Sequence, residues 1–259
     1  MTAQVPVAVR ARDVLASEWT KFRSVRSTYW TLLVAVVTPI GLSALVAVTL
    51  ANVPGRGAPA DPLLPGVLSQ EYAVLAVGVL GVLMFSAEFS TGLIRTTFTA
   101  VPRRRAVLAA KAAVLGAITL VAGELVAFVS FALVQAVLSG KHLGVSLARP
   151  GVPGAVLATG LILFVVATMG LGLGAIVRHT AGGIAALIGL IILPGILALL
   201  PAPWGARVGR FTLVDAARQV TALHPATNLF APAWSLLVLL AWPAAILLAA
   251  AVAITRRDA

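Results

Sequence analysis

The sequence reads as an all-α, polytopic membrane protein with six transmembrane helices, an N-terminal amphipathic interface helix and a short cytoplasmic helix between spans two and three. Three observations lead there. Of 259 residues, 60% are hydrophobic and 10% charged, with a mean hydropathy of +1.05; a soluble domain is roughly half apolar and about a quarter charged. Six stretches reach the ~20 residues that an apolar helix needs to cross a hydrocarbon core of ~30 Å. They cover residues 30–51, 67–87, 111–138, 154–177, 182–200 and 234–254. The basic residues, finally, gather on one side of that pattern. The domain reading is an N-terminal segment 1–29, a transmembrane domain 30–254 and a C-terminal tail 255–259.

The first element precedes the spans. Leu15, Trp19, Phe22, Val25 and Tyr29 recur at spacings of 4, 3, 3 and 4, one face of a helix, and Arg12, Glu18 and Lys21 lie away from it. Such a helix is expected to lie in the membrane interface with Trp19 and Tyr29 at headgroup depth. It anchors the first span or acts as a lever beside a cytosolic partner. The first long apolar run begins near residue 30 and has no small-residue cleavage site, so no secretory signal is expected.

Within the spans, Pro39, Pro194 and Pro243 are expected to kink their helices rather than end them. The Gly170–Gly174 run and the Ala185-xxx-Gly189 pair are small-xxx-small patterns, suited to close packing within the chain or, second, to a dimer seam. The long connection 201–233 has a short helical pattern, FTLVDAARQV, bracketed by prolines 201, 203, 225 and 232. It reads as a surface helix covering span ends or as a lid.

Charge sets the orientation. With both termini inside, the inner side holds Arg10, Arg12, Lys21, Arg23, Arg26, Arg95, Arg103, Arg104, Arg105, Lys111, Arg178, Arg256 and Arg257, 13 of the 19 basic residues. The net charge of +11 is explained by this bias and by anionic lipid, and no basic stripe is interleaved with aromatics as nucleic-acid binding would require. With no cysteine, disulfides and thiolate chemistry are excluded. His142, His179 and His224 stand in different loops without ligand-spaced partners, so no metal site is expected. No nucleophile elbow supports hydrolysis, and no repeat of the two halves supports a secondary carrier.

The most informative segment is the polar insert 88–111, EFSTGLIRTTFTAVPRRRAVLAAK. Residues 90–98 have room for two helical turns, with Leu93, Ile94 and Phe98 on one apolar side. Pro102 stops that helix, because it has no amide donor and clashes with the preceding turn. Arg103, Arg104 and Arg105 mark the return to the membrane. A short helix reached from two spans can pass a push to both.

These residues carry a family resemblance. The segment SEWTKFRSVRSTYW at 17–30, the insert with Glu88, Gly92, Arg95, Pro102, Arg105 and Lys111, and the terminal RRDA together resemble the membrane subunits of type-2 ABC exporters, in particular the small six-span permeases of actinobacteria. Leu93 stands where that family usually has Thr. The resemblance spans the whole chain in layout and about 40 residues in motif. It implies a permease that dimerises, with itself or a related subunit, to form a translocation path in the bacterial cell membrane. Glu88, Gly92, Arg95, Pro102 and Arg103 to Arg105 would form the coupling surface for a cytosolic ABC ATPase. Trp19, Lys21, Phe22 and Arg23 would belong to the connecting helix beside it. The chain itself contains no G-x-x-x-x-G-K-[ST] sequence, so ATP and Mg²⁺ are expected in the partner and no catalytic or cofactor residue here.

Glu124 is the remaining candidate. It lies 13 residues past Lys111, about 20 Å along the third span and near mid-membrane. A carboxylate there lines the path, binds a cationic substrate, or is protonated and bonded to a neighbouring helix. It also defines the rival reading, a proton-coupled carrier using Glu124. Another reading keeps the exporter fold but moves no cargo, serving immunity or signalling.

Overall fold

The computed structural model describes residues 10–52, 63–140, 143–197, 200–201 and 204–256. The chain is 85% helical, and no strand is found among the described residues. Among the described residues ten helices follow in order: α1 (Ala11–Ser24), α2 (Arg26–Asn52), α3 (Leu64–Ser90), α4 (Leu93–Ala100), α5 (Arg104–Ser139), α6 (Val152–Val177), α7 (Thr180–Leu197), α8 (Trp204–Gly209), α9 (Leu213–Thr221) and α10 (Pro232–Arg256). Six of them, α2, α3, α5, α6, α7 and α10, are long and apolar enough to cross a membrane, as expected of a multi-pass protein. Each contains its expected span to within a few residues; α5 and α3 run further, α5 starting seven residues before Lys111.

α6 is the axle of the bundle, with α3, α5, α10, α7 and α9 packed around it. Its closest approaches use glycine. A Cβ on Gly170 would overlap the Gly78 carbonyl of α3, and one on Gly123 of α5 would overlap the Gly160 carbonyl of α6. Small side chains let the backbones touch, which is how helices associate where the surrounding solvent is as apolar as they are. The Gly170–Gly174 run thus packs within the chain. The second pattern does not: Ala185 and Gly189 are exposed on α7, and nothing lies within 4 Å of a Cβ built at Gly189. The three internal prolines are buried, and α2, α7 and α10 run through them.

At one end of the bundle the connection 201–233 folds into α8 and α9. Thr212 caps α9 by accepting from the Asp215 amide at 3.1 Å, and Leu213, Ala216 and Gln219 are buried on the bundle. Gln219 then pins the following loop, donating to the Ala226 and Phe230 carbonyls at 2.9 Å and accepting from the Ala226 amide at 3.0 Å. A helix is therefore present where the short helical pattern predicted one. At the opposite end lie α1 and α4. An apolar cluster there unites Val14 and Phe22 of α1, Phe85 of α3, Ile94 and Phe98 of α4, Val107 and Leu108 of α5 and Ile254 of α10.

Candidate functional site

The insert folds as a helix–turn unit whose ends are set by two residues. α3 stops at Ser90, and Gly92 turns the chain with φ +72°, the left-handed region where a side chain is strained. No atom lies within 4 Å of a Cβ at Gly92, so the backbone, not crowding, calls for glycine there. α4 ends at Ala100, two residues before Pro102. Val101 leaves the helical region (φ −127°, ψ 87°), which the ring of a following proline disfavours. α4 packs through Ile94 and Phe98, both buried; Leu93, expected beside them, is 56% exposed. The short helix needs only an i, i+4 pair to seat it, and position 93 points outward.

The three arginines divide. Arg104 turns inward: its guanidinium lies 5.3 Å over the Phe98 ring and donates to the Ile254 carbonyl at 3.1 Å, tying α4 and α5 to the end of α10. Arg103, Arg105 and Arg95 are exposed, as are Gly92 and Pro102. They make a basic outer face around α4. Beside them Arg178, the left-handed C-cap of α6 (φ 59°), lies 5.1 Å over Phe89 of α3.

Beneath that face is a closed ring of four charges. Lys111 Nζ donates to Glu18 Oε2 and to Glu88 Oε1, each at 2.7 Å. Lys21 Nζ donates to Glu18 Oε1 and to Glu88 Oε1, each at 2.9 Å, and to Thr97 Oγ1 at 3.3 Å. Two acids alternate with two amines, so the ring is neutral while joining α1, α3 and α5, with α4 attached through Thr97. Glu18 and Lys111 are each 1% exposed and Glu88 is 8% exposed. Phe85, one turn before Glu88, holds its ring 5.7 Å from Lys111 Nζ and closes the site toward the spans. Burial alone would lower the Lys21 pKa; its hydrogen bonds to Glu18 and Glu88 and their charges outweigh that and hold it above the usual 10.5.

Glu18 is the residue whose role sequence reasoning missed. It lies away from the apolar stripe, as expected, but is buried there with Val14 and Phe22 at i, i+4, i+8, and Lys21 sits on the same flank. The apolar stripe faces outward instead: Leu15 is 39% and Trp19 48% exposed, with Phe22 on the border of both faces. Val25 ends α1 in an extended conformation, so Tyr29 belongs to α2, from where its hydroxyl donates to the Arg23 carbonyl at 3.0 Å. Arg23 itself is exposed. One signal for the ring was present in the sequence. Lys111 and Glu88 stand at the apolar ends of neighbouring spans, and charges at one depth need partners.

Glu124 stands apart from this ring. It is half-buried on α5, with its carboxyl against Gly160 of α6, where a Cβ would meet the Glu124 Cδ at 2.6 Å. Its Oε2 is buried and accepts no hydrogen bond among the described residues. His179 accepts from the Gly182 amide at 3.2 Å, His224 is exposed, and His142 lies outside the described residues. No group of three metal-ligating side chains occurs among the described residues. No protein-family model matches the chain, and no curated protein matches it either.

Proposed function

We propose that the chain is the permease subunit of an ATP-driven exporter in a bacterial cell membrane, dimeric, with both termini cytoplasmic and the insert as its contact with a separate cytosolic ATPase. The observation that carries this reading is the ion ring under α4. A load applied to the exposed face formed by Arg95, Pro102, Arg103 and Arg105 reaches Thr97, Lys21, Glu18, Glu88 and Lys111, and through them α1, α3 and α5 together. A rigid linkage of this kind suits rigid-body switching of a bundle, because buried paired charges transmit displacement instead of absorbing it. The sequence support is the resemblance of segments 17–30 and 88–111 to type-2 exporter subunits, together with the missing phosphate-binding loop.

The test is co-purification with a nucleotide-binding subunit encoded beside it or supplied in trans. Arg95→Glu combined with Arg105→Glu is expected to lower the recovered ATPase at least about tenfold by reversing the face's charge, while leaving the membrane subunit folded. Full transport by the chain alone, in vesicles without ATP, overturns the reading. The unpartnered Glu124 carboxylate supports a second one, a proton-coupled carrier. That reading requires uptake or efflux to follow an imposed pH gradient in the absence of any ATPase, and to vanish in Glu124→Gln.

A further inference from the structure

α3 turns one face, Val67, Gln70, Glu71, Val74 and Leu75, into a groove of about 410 Å³ that α6, α7 and α9 complete. That size falls within the ~300–1,000 Å³ of small-molecule sites. Its walls are aliphatic, led by Ile162 of α6 and by Ile188 and Ile192 of α7. The polar groups are few, and most are already engaged. Thr221 Oγ1 donates to the Ala217 carbonyl at 3.0 Å, and Arg218 lies 3.9 Å from Asp215. Gln70 is 3% exposed; its Nε2 donates to the Thr159 carbonyl, but its Oε1 is buried with no partner among the described residues. Glu71 beside it is exposed and forms no ion pair among the described residues.

Both open groups are acceptors, one of them anionic, and they stand one helical turn from Val74 and Leu75. A buried acceptor without a donor costs about 1–3 kcal/mol, which a ligand donor would recover. A carboxylate lining the same groove selects a cationic donor over a neutral one. We propose that this groove binds an amphiphile with a primary-amine head and a hydrocarbon body, the amine bonding to Gln70 Oε1 and Glu71 and the chain lying along α3, α6 and α7. Two sources share that chemistry, an amine-headed membrane lipid and a free amphiphilic amine. The first is independent of the exporter reading; the second, as cargo, rests on it.

The probe is a diazirine-bearing octadecylamine, photolysed with the purified full-length chain in detergent, and labelled peptides are located by mass spectrometry. Label is expected in 67–75 and 188–192, displaced by oleylamine at about tenfold lower concentration than by oleyl alcohol or oleate. Glu71→Gln is expected to remove most of that tenfold preference, and Ile192→Trp to block labelling by filling the groove. Gln70→Leu should weaken binding similarly; because it also touches Thr159, its melting temperature is compared with that of the unaltered chain. Equal displacement by all three competitors, or labelling untouched by both Glu71→Gln and Ile192→Trp, overturns the proposal. Lipid extracted from the purified protein separates the sources. Amine-headed phospholipid retained by the unaltered chain and lost in Ile192→Trp identifies a resident lipid. Its absence, with amine-selective displacement intact, identifies a free amine. None of the three variants lies in α4, so ATPase co-purification stands or falls separately.

Discussion

Two places in this bundle hold carboxylates where water is scarce, and they are built in opposite ways. At the α4 end, Glu18 and Glu88 face Lys21 and Lys111, and every charge in that ring has an opposite one within 2.9 Å. Along α5, Glu124 meets a bare glycine backbone and leaves Oε2 without a donor among the described residues. Glu88 Oε2, like Glu124 Oε2, is buried without a hydrogen-bond partner among the described residues, so the difference lies in the opposite charges. A buried charge ringed by opposite ones is architecture, because removing any one member strands the others. A buried carboxylate with no opposite charge near it is an unmet demand that a proton, a cation or a ligand can satisfy. The difference suits mechanical linkage at one end, as proposed above, and binding at the other.

The strongest way to break that contrast is Lys111→Met. It leaves Glu18 and Glu88 buried with Lys21 alone, and is expected to cost about 3–5 kcal/mol, read as a lower denaturation midpoint in detergent. Adding Glu18→Gln should recover part of the loss, since it removes one stranded charge. A cost below about 1 kcal/mol for Lys111→Met would mean that the ring holds nothing together. Glu124→Gln comes next, with the opposite expectation. Having no ion partner to lose, it should change stability by no more than about 1 kcal/mol, and a loss above 2 would make Glu124 part of the architecture as well.

The smallest effect sharpens the comparison by pH. Lys21 is held above its usual 10.5 in the folded chain, so its contribution is complete below that value and is lost as pH rises through the higher folded one. Its side chain is 39% exposed, so solvent screening keeps the effect small. Unfolding followed from about pH 9 to about 12 should show a decline that is shallower in Lys21→Met. Identical slopes in the two proteins would remove Lys21 from the ring's energetics.

Much of this was legible in the residues themselves. Span number and placement follow from apolar length, and the stop of α4 from Pro102; its start, expected at residue 90, comes instead at Leu93, because α3 runs to Ser90 and Gly92 turns the chain. The ring was not, for a reason particular to bilayers. Helical periodicity identifies the face that avoids water, and on α1 that is the stripe of Leu15 and Trp19 facing away from the bundle. The face packed on protein is chosen by a lysine 93 residues further along, which no local pattern encodes. Arg104 illustrates the same limit. Three adjacent arginines are equivalent as letters, and only the Phe98 ring and the Ile254 carbonyl single out the middle one. Ala185 and Gly189 form a packing pattern that is exposed, with no described residue within 4 Å of a Cβ at Gly189, because spacing records the capacity for contact but not the contact.

The span between Glu18 and Lys111 also orders the birth of the molecule. Synthesis runs from α1 toward α5, so Glu18 and Lys21 leave the ribosome with neither Glu88 nor Lys111 yet made. Only when the start of α5 follows does the last cation arrive, so α1 can close its ring contacts only after α2, α3 and α4 have been made.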